Sequence, residues 1–193
     1  MPYLTGPVLP AGTLAQRPQP ILRTGDGLVL RPWRTEDAPA LHEAFQDPLL
    51  HQWHVRRSGA ESEAREWIDG WLTAWSGEDN AQWAVAEANT DRLLGRVALR
   101  SMVLADGCAE LAYWTAPWGR GRGVAPRATT LLTRWALDEI GFHRLELLHA
   151  VRNEASCRVA EKTGFALEGI KRRALLHPDG WHDMHLHARV RGD

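Results

Sequence analysis

The stretch WGRGRGVAPRA, residues 118–128, places Gly119, Gly121 and Gly123 around two arginines, directly ahead of a run of helix formers. Glycine lets a backbone turn sharply and come close to a ligand. Arginine supplies a planar, permanently charged fork that suits phosphate oxygens. The helix that follows offers unpaired N–H groups and the positive end of its dipole. A glycine turn feeding a helix start therefore describes an anion site, and what the stretch lacks narrows the type. No Lys-Ser/Thr pair follows, so it is not a Walker loop. Val124 stands where a dinucleotide fingerprint needs its third glycine. Strand and helix patterns flank it, unlike the disordered Arg-Gly tracts that bind RNA. What remains is Arg120-x-x-Gly123-x-Ala125 between a strand and a helix.

Working outward from the loop, AQWAVAE (81–87), LLGRVALRSMVL (93–104) and AELAYWTA (109–116) read as three strands, with turns at 89–91 and 105–107. Downstream, APRATTLLTRWALDEI (125–140) repeats apolar residues at helical spacing and ends at Gly141. RLELLHAV (144–151) predicts a strand, NEASCRVAEKT (153–163) a short helix, and FALEGI (165–170) and WHDMHLHARV (181–190) two further strands. Towards the N-terminus, LVLRPW (28–33) opens the first strand, and TEDAPALHEAF (35–45) predicts a helix capped by Thr35. SGAESEAREWIDGWLTAW (58–75) predicts another, with Ser58 and Glu61 at capping-box spacing and Trp67, Trp71 and Trp75 on one face as a buried stripe. Residues 1–22 hold Pro2, Pro7, Pro10, Pro18 and Pro20 without periodicity and read as an extended arm; residues 23–193 read as one domain. This order of elements predicts a mixed α/β fold around one central sheet.

The bulk properties exclude several classes. With 23 basic and 24 acidic residues the net charge is −1, so no global field favours nucleic acid or an anionic membrane. No apolar run nears the ~18 residues of a membrane span. The N-terminus lacks a secretory signature, and Cys108 and Cys157 read as free thiols. A soluble cytoplasmic protein is expected, with most of its ten tryptophans packed in the core.

Joined to NEASCRVAEKTGF (153–165), the glycine loop resembles the GNAT superfamily of N-acetyltransferases, and within it the RimJ/RimL type that acts on ribosomal-protein alanine. The Arg-x-x-Gly-x-Ala loop, Asn153-x-x-Ser156, the Glu161-Lys162-x-Gly164-Phe165 run and a late Gly180-x-x-Asp183 stand in family order across residues 27–188. The resemblance implies a single mixed α/β domain. Its mostly antiparallel, twisted sheet would be split by a bulge at the coenzyme site and flanked by about four helices. It implies acetyl-coenzyme A as cosubstrate and no metal. Arg120, Gly121, Arg122, Gly123, Val124 and Ala125 would cradle the pyrophosphate, with Trp114, Thr115 and Asn153 along the pantetheine. Ser156 would donate to the sulfur as general acid, and Glu110 is the candidate base, directly or through water. Many superfamily members carry a tyrosine four residues after this serine; here the position is Ala160, which points to the RimJ/RimL type.

The acceptor stays open: a protein N-terminus or a small-molecule amine, on a monomer or a homodimer. Trp53, in HQWHV (51–55), either covers that amine by cation–π contact or fills core, and Tyr113 is either core or substrate wall. A non-catalytic acyl-coenzyme A sensor or scaffold is the alternative function. His182, His185 and His187 in the last strand have spacing too weak to imply a metal and read as solvated, Cys157 as packing, and Asp183 as structural.

Overall fold

A computed structural model describes residues 5–193; the arm's first four residues lie outside them. Eight strands form one sheet in the order β1-β2-β3-β4-β5-β6-β8-β7. They are β1 (Leu22–Arg23), β2 (Leu28–Pro32), β3 (Ala81–Glu87), β4 (Leu93–Val103), β5 (Cys108–Thr115), β6 (Arg144–Ala150), β7 (Ala166–His177) and β8 (Gly180–Val190). Every neighbouring pair is antiparallel except β5 with β6. Five helices cover the faces: α1 (Ala38–Ala44), α2 (Pro48–Trp53), α3 (Glu61–Gly77), α4 (Val124–Arg134) and α5 (Glu154–Lys162). None is long and apolar enough to cross a membrane.

The central strands are buried on both faces, which is why β3 reads as an almost unbroken apolar run. On one side Leu111, Leu145 and Leu147 pack against Val124, Ala128 and Leu132 of α4 and Ala160 of α5. On the other, Trp33, Ala84 and Trp114 pack against Leu41 of α1 and Ile68 of α3. The tryptophan stripe divides: Trp75 is buried, whereas Trp67 and Trp71 are half-buried, against Phe45 and Trp33. The arm lies across the domain. Leu14 is fully buried, and the Glu78 carboxylate accepts from the backbone N–H groups of Gly12, Leu14 and Ala15 at 2.6, 2.6 and 3.0 Å.

Three local expectations change. Thr35 does not cap α1: Thr35–Asp37 form a 3₁₀ turn, drawn in because the Asp37 carboxylate holds the buried Arg31 guanidinium at 2.7 Å and accepts from the Arg34 N–H at 2.9 Å. Ser58 and Glu61 form no capping box; α3 begins at Glu61 behind Ala60, and the Ser58 hydroxyl is spent on the Ala60 carbonyl and His42. The strand at 165–170 runs on to His177, past an irregularity between Lys171 and Leu175. There Arg173 takes φ 47° and its N–H donates to Asp183 at 2.8 Å.

Candidate active site

The sheet opens in its middle. The parallel ladder runs from Cys108↔Arg144 to Glu110↔Glu146 and then stops. Beyond it β5 stays in register with β4 as far as Gly95↔Thr115, so the parting arises between β5 and β6. The β6-facing edge of Leu111–Thr115 is therefore left without a partner strand, a template for an extended, amide-bearing ligand. A cleft of about 640 Å³ opens at this parting, between β5, the glycine loop, α2 and the start of α5. Trp114, Thr115, Arg120, Gly121, Gly123, Val124, Ala125, Asn153 and Ser156 all line it. Arg122 and Glu110 do not: Arg122 pairs with Glu87 at 2.6 Å outside, and Glu110 lines a neighbouring cavity.

In the loop, Gly121 and Gly123 take φ 73° and 68°, left-handed values that L side chains seldom adopt. Gly119 is needed for space, since a Cβ there would lie 2.8 Å from the Leu94 carbonyl. Gly123 caps α4 with no side chain, so the first-turn N–H groups of Val124 and Ala125, both of which line the cleft, have no intrahelical acceptor. The arginines are tied to the body instead. Arg120 forks onto Asp47 at 3.0 and 2.9 Å, and Arg127 pairs with Asp26. Asp47 also accepts from the Leu49 and Leu50 N–H groups, capping α2. The Arg120 guanidinium, aided by those N–H groups, holds its carboxyl below the usual range.

At the start of α5 the Asn153 side-chain oxygen accepts from the Ser156 N–H at 3.1 Å, which fixes the helix end and leaves the Asn153 amide group free to donate. The Tyr113 hydroxyl donates to the Ser156 carbonyl at 3.4 Å. Burial pushes this phenol up to about 12, so it stays protonated. A second donor thus stands beside Ser156; strand parity put Tyr113 opposite Glu110 but could not show that its hydroxyl reaches α5.

A second cavity of about 420 Å³ adjoins the first and shares Trp53, His54, Tyr113, Asn153 and Ser156 with it. Arg56, Arg96, Arg100 and Glu110 line it. Arg100 pairs with Glu110. Arg96 lies 5.7 Å over the Trp71 ring, with its buried Nε unbonded and no carboxylate paired to it among the described residues. Burial, then the charges of Arg100 and Arg56, push it down to about 9, which still leaves it cationic near neutrality. His54 is pushed down to about 3 by burial and then by Arg96, Arg100 and His177. Such a neutral ring is too weak a base for an ammonium of pKa ~10. Trp53 is half-buried and meets His177 and His182 edge-on.

The histidines of β8 are not solvated as expected. His187 and His182 are 2% and 8% exposed, because β8 lies inside the sheet rather than at its edge. His182 pairs with Asp179, on the other face from His185 and His187.

Residues 27–166 match the family model described as the acetyltransferase (GNAT) domain. Among similar proteins is the uncharacterized N-acetyltransferase YoaA of Bacillus subtilis, 23% identical over 89% of this chain and 97% of that protein. The ribosomal-protein-serine acetyltransferase of Escherichia coli is 28% identical over 52% of this chain and 56% of that one. The solved structure of RimL, a ribosomal L7/L12 alpha-N-protein acetyltransferase in complex with coenzyme A, superposes with a TM-score of 0.82 at 21% identity, covering 89% of this chain and 98% of that one.

Proposed function

The chain belongs to the GNAT acetyltransferase family, and from that premise we propose that it moves an acetyl group from acetyl-coenzyme A directly to a primary amine on an acceptor that also bears a carboxylate. The observation that carries this reading is the meeting of two cavities at Ser156, Tyr113 and Asn153. One has the unpaired strand edge and the glycine loop; the other has the arginines. The first suits acetyl-coenzyme A, which supplies the thioester: the amides of Gly121 to Ala125 face phosphate, Trp114 and Thr115 flank the pantetheine, and the free Asn153 amide donates to it. Arg120 stays on Asp47 as the post that fixes the loop. Ser156 donates to the departing sulfur, and the Tyr113 hydroxyl joins it only by turning its one hydrogen away from the Ser156 carbonyl.

Glu110, held by Arg100, is the carboxylate on the acceptor side and takes the amine proton through water. Arg96, unpaired and largely desolvated, is the seat for the acceptor's carboxylate. Single amino acids and acidic peptides beginning with alanine or serine fit this chamber; spermidine and aminoglycosides do not. A ribosomal-protein N-terminus beginning with serine, the substrate named for the E. coli relative, is one protein acceptor of this kind to test, and action in the cytoplasm goes with it.

The test is thiol release from acetyl-coenzyme A against those acceptors. Turnover should favour the carboxylate-bearing amines, and Arg96→Gln should lower their kcat/KM by about 10- to 150-fold, the worth of one charged hydrogen-bonded contact. Preference for a polyamine would overturn the acceptor class. Coenzyme binding without turnover of any amine would favour the sensor.

A further inference from the structure

His149 of β6, His185 and His187 of β8 and Cys157 of α5 bring one ligand atom each to within 4.8 Å of one another. They come from three elements, and register explains why they meet: His149 lies directly across from His185, with His187 two residues along the same face and α5 laid over it. The hydrogen bonds around the rings then fix their lone pairs. His149 Nδ1 faces the Ala150 carbonyl at 2.9 Å, and His187 Nδ1 faces the Phe165 carbonyl at 3.2 Å. A carbonyl only accepts, so each Nδ1 carries the hydrogen and each Nε2 of the neutral ring is a bare lone pair. Those two Nε2 atoms stand 3.1 Å apart, pointing at each other.

Two lone pairs at that distance repel unless a cation lies between them. A proton would need only these two rings. The site offers more: His185 Nδ1 is buried with no partner, and Cys157 Sγ is bonded only to the Glu161 carboxylate, at 3.6 Å. We propose that His149, His185, His187 and Cys157 form a structural zinc site that staples α5 to β6 and β8, against the second cavity, whose wall includes His149. Three imidazoles and a thiolate are a donor set for a borderline-soft divalent ion, and four ligands close a tetrahedral shell. Zn–N bonds of ~2.05 Å to nitrogens 3.1 Å apart subtend about 100° at the metal, near the tetrahedral angle. The Ala150 and Phe165 carbonyls are the outer contacts that fix metal-bound histidines in orientation. Binding replaces the Cys157 S–H bond by an S–Zn bond and releases that proton to solvent. The ion would stand one residue beyond Ser156, and so would hold the turn that carries Asn153 and Ser156.

Chelator-stripped full-length protein titrated with Co²⁺, then Zn²⁺, tests this. The expected result is one ion per chain, tetrahedral d–d bands in the visible and a thiolate-to-cobalt charge-transfer band in the near ultraviolet, both displaced by Zn²⁺. Cys157→Ser should remove the charge-transfer band. His185→Ala, a half-buried site that the fold tolerates more easily than the two buried rings, should weaken Zn²⁺ binding at least about tenfold. Zn²⁺ should also raise the melting temperature of the parent protein and not of the Cys157→Ser/His185→Ala double variant. Absence of saturable cobalt spectra, or binding unchanged in the double variant, overturns the site and leaves a shared proton between His149 and His187.

Discussion

Gly121→Ala separates the phosphate-loop reading from a merely structural turn. Gly121 sits at φ 73° and lines the main cleft, yet a Cβ placed there would have nothing within 4 Å. The substitution therefore meets no clash in the free protein, and its penalty is that of a left-handed alanine, ~1–2 kcal/mol. For a chain of this size each kcal/mol moves the melting temperature by about 2–4 °C, so the free protein should melt about 2–8 °C lower. Coenzyme A at a hundred times its Kd should stabilise the parent by about 2.7 kcal/mol. If the Gly121 backbone approaches the pyrophosphate, the new methyl stands in that approach. A tenfold loss of affinity would then halve the stabilisation at the same concentration, to about 1.4 kcal/mol.

Gly27→Ala is the matched control. It has φ 90°, equally empty surroundings and no place in the cleft, so it should lower the free melting temperature alike and leave the coenzyme shift intact. Thermal unfolding with and without coenzyme A, backed by calorimetric Kd values, reads both quantities. A full coenzyme shift in Gly121→Ala, with the free protein destabilised as expected, would refute the placement of phosphate at this loop.

Ser156→Ala and Tyr113→Phe should each lower kcat, with coenzyme binding kept. If both hydroxyls serve the sulfur, as proposed, each single loss should fall near the lower end of general-acid effects, about 10²-fold or less, and the double variant well below either, measured by thiol release on the best acceptor. An unchanged kcat in Ser156→Ala would remove it from the mechanism. Glu78 ties the arm down. Burial pushes its carboxyl up, but the N–H groups of Gly12, Ala15 and Leu14 outweigh that and leave it below its ordinary 4.5. A depressed folded value means that the stabilisation is full above the unfolded pKa and fades as pH falls through the folded one, so protection of the Leu14 amide from hydrogen exchange should drop below about pH 4.5. Glu78→Gln should weaken that protection at neutral pH by ~1–3 kcal/mol and flatten its acid dependence.

Local chemistry was legible from residue order alone. The three strands between 81 and 116, the glycine loop and the turn at Asn153 stand where their patterns put them, because alternation, helical spacing and capping act over a few residues; the helix expected over 125–140 is α-helical only to Arg134 and continues as a wider π turn over Trp135–Ile140. Helix α2 was not legible. Its six residues are too few for a periodicity, and it is held by Asp47, whose tie to Arg120 spans 73 positions. The Arg34–Asp37 turn likewise displaced a plausible Thr35 cap because a buried arginine needed the carboxylate.

The sequence by itself determined the family, the glycine loop ahead of α4 and the residues at the head of α5, since each is written in a contiguous motif. Tertiary structure alone decided which arginines line the second cavity and which are tied off, that the Tyr113 hydroxyl reaches Ser156, and that His185 and His187 meet His149 on one face. The reason is register. A strand's pattern tells which residues share a face, but only the pairing of β6 with β8 and the lay of α5 over them set which residues meet.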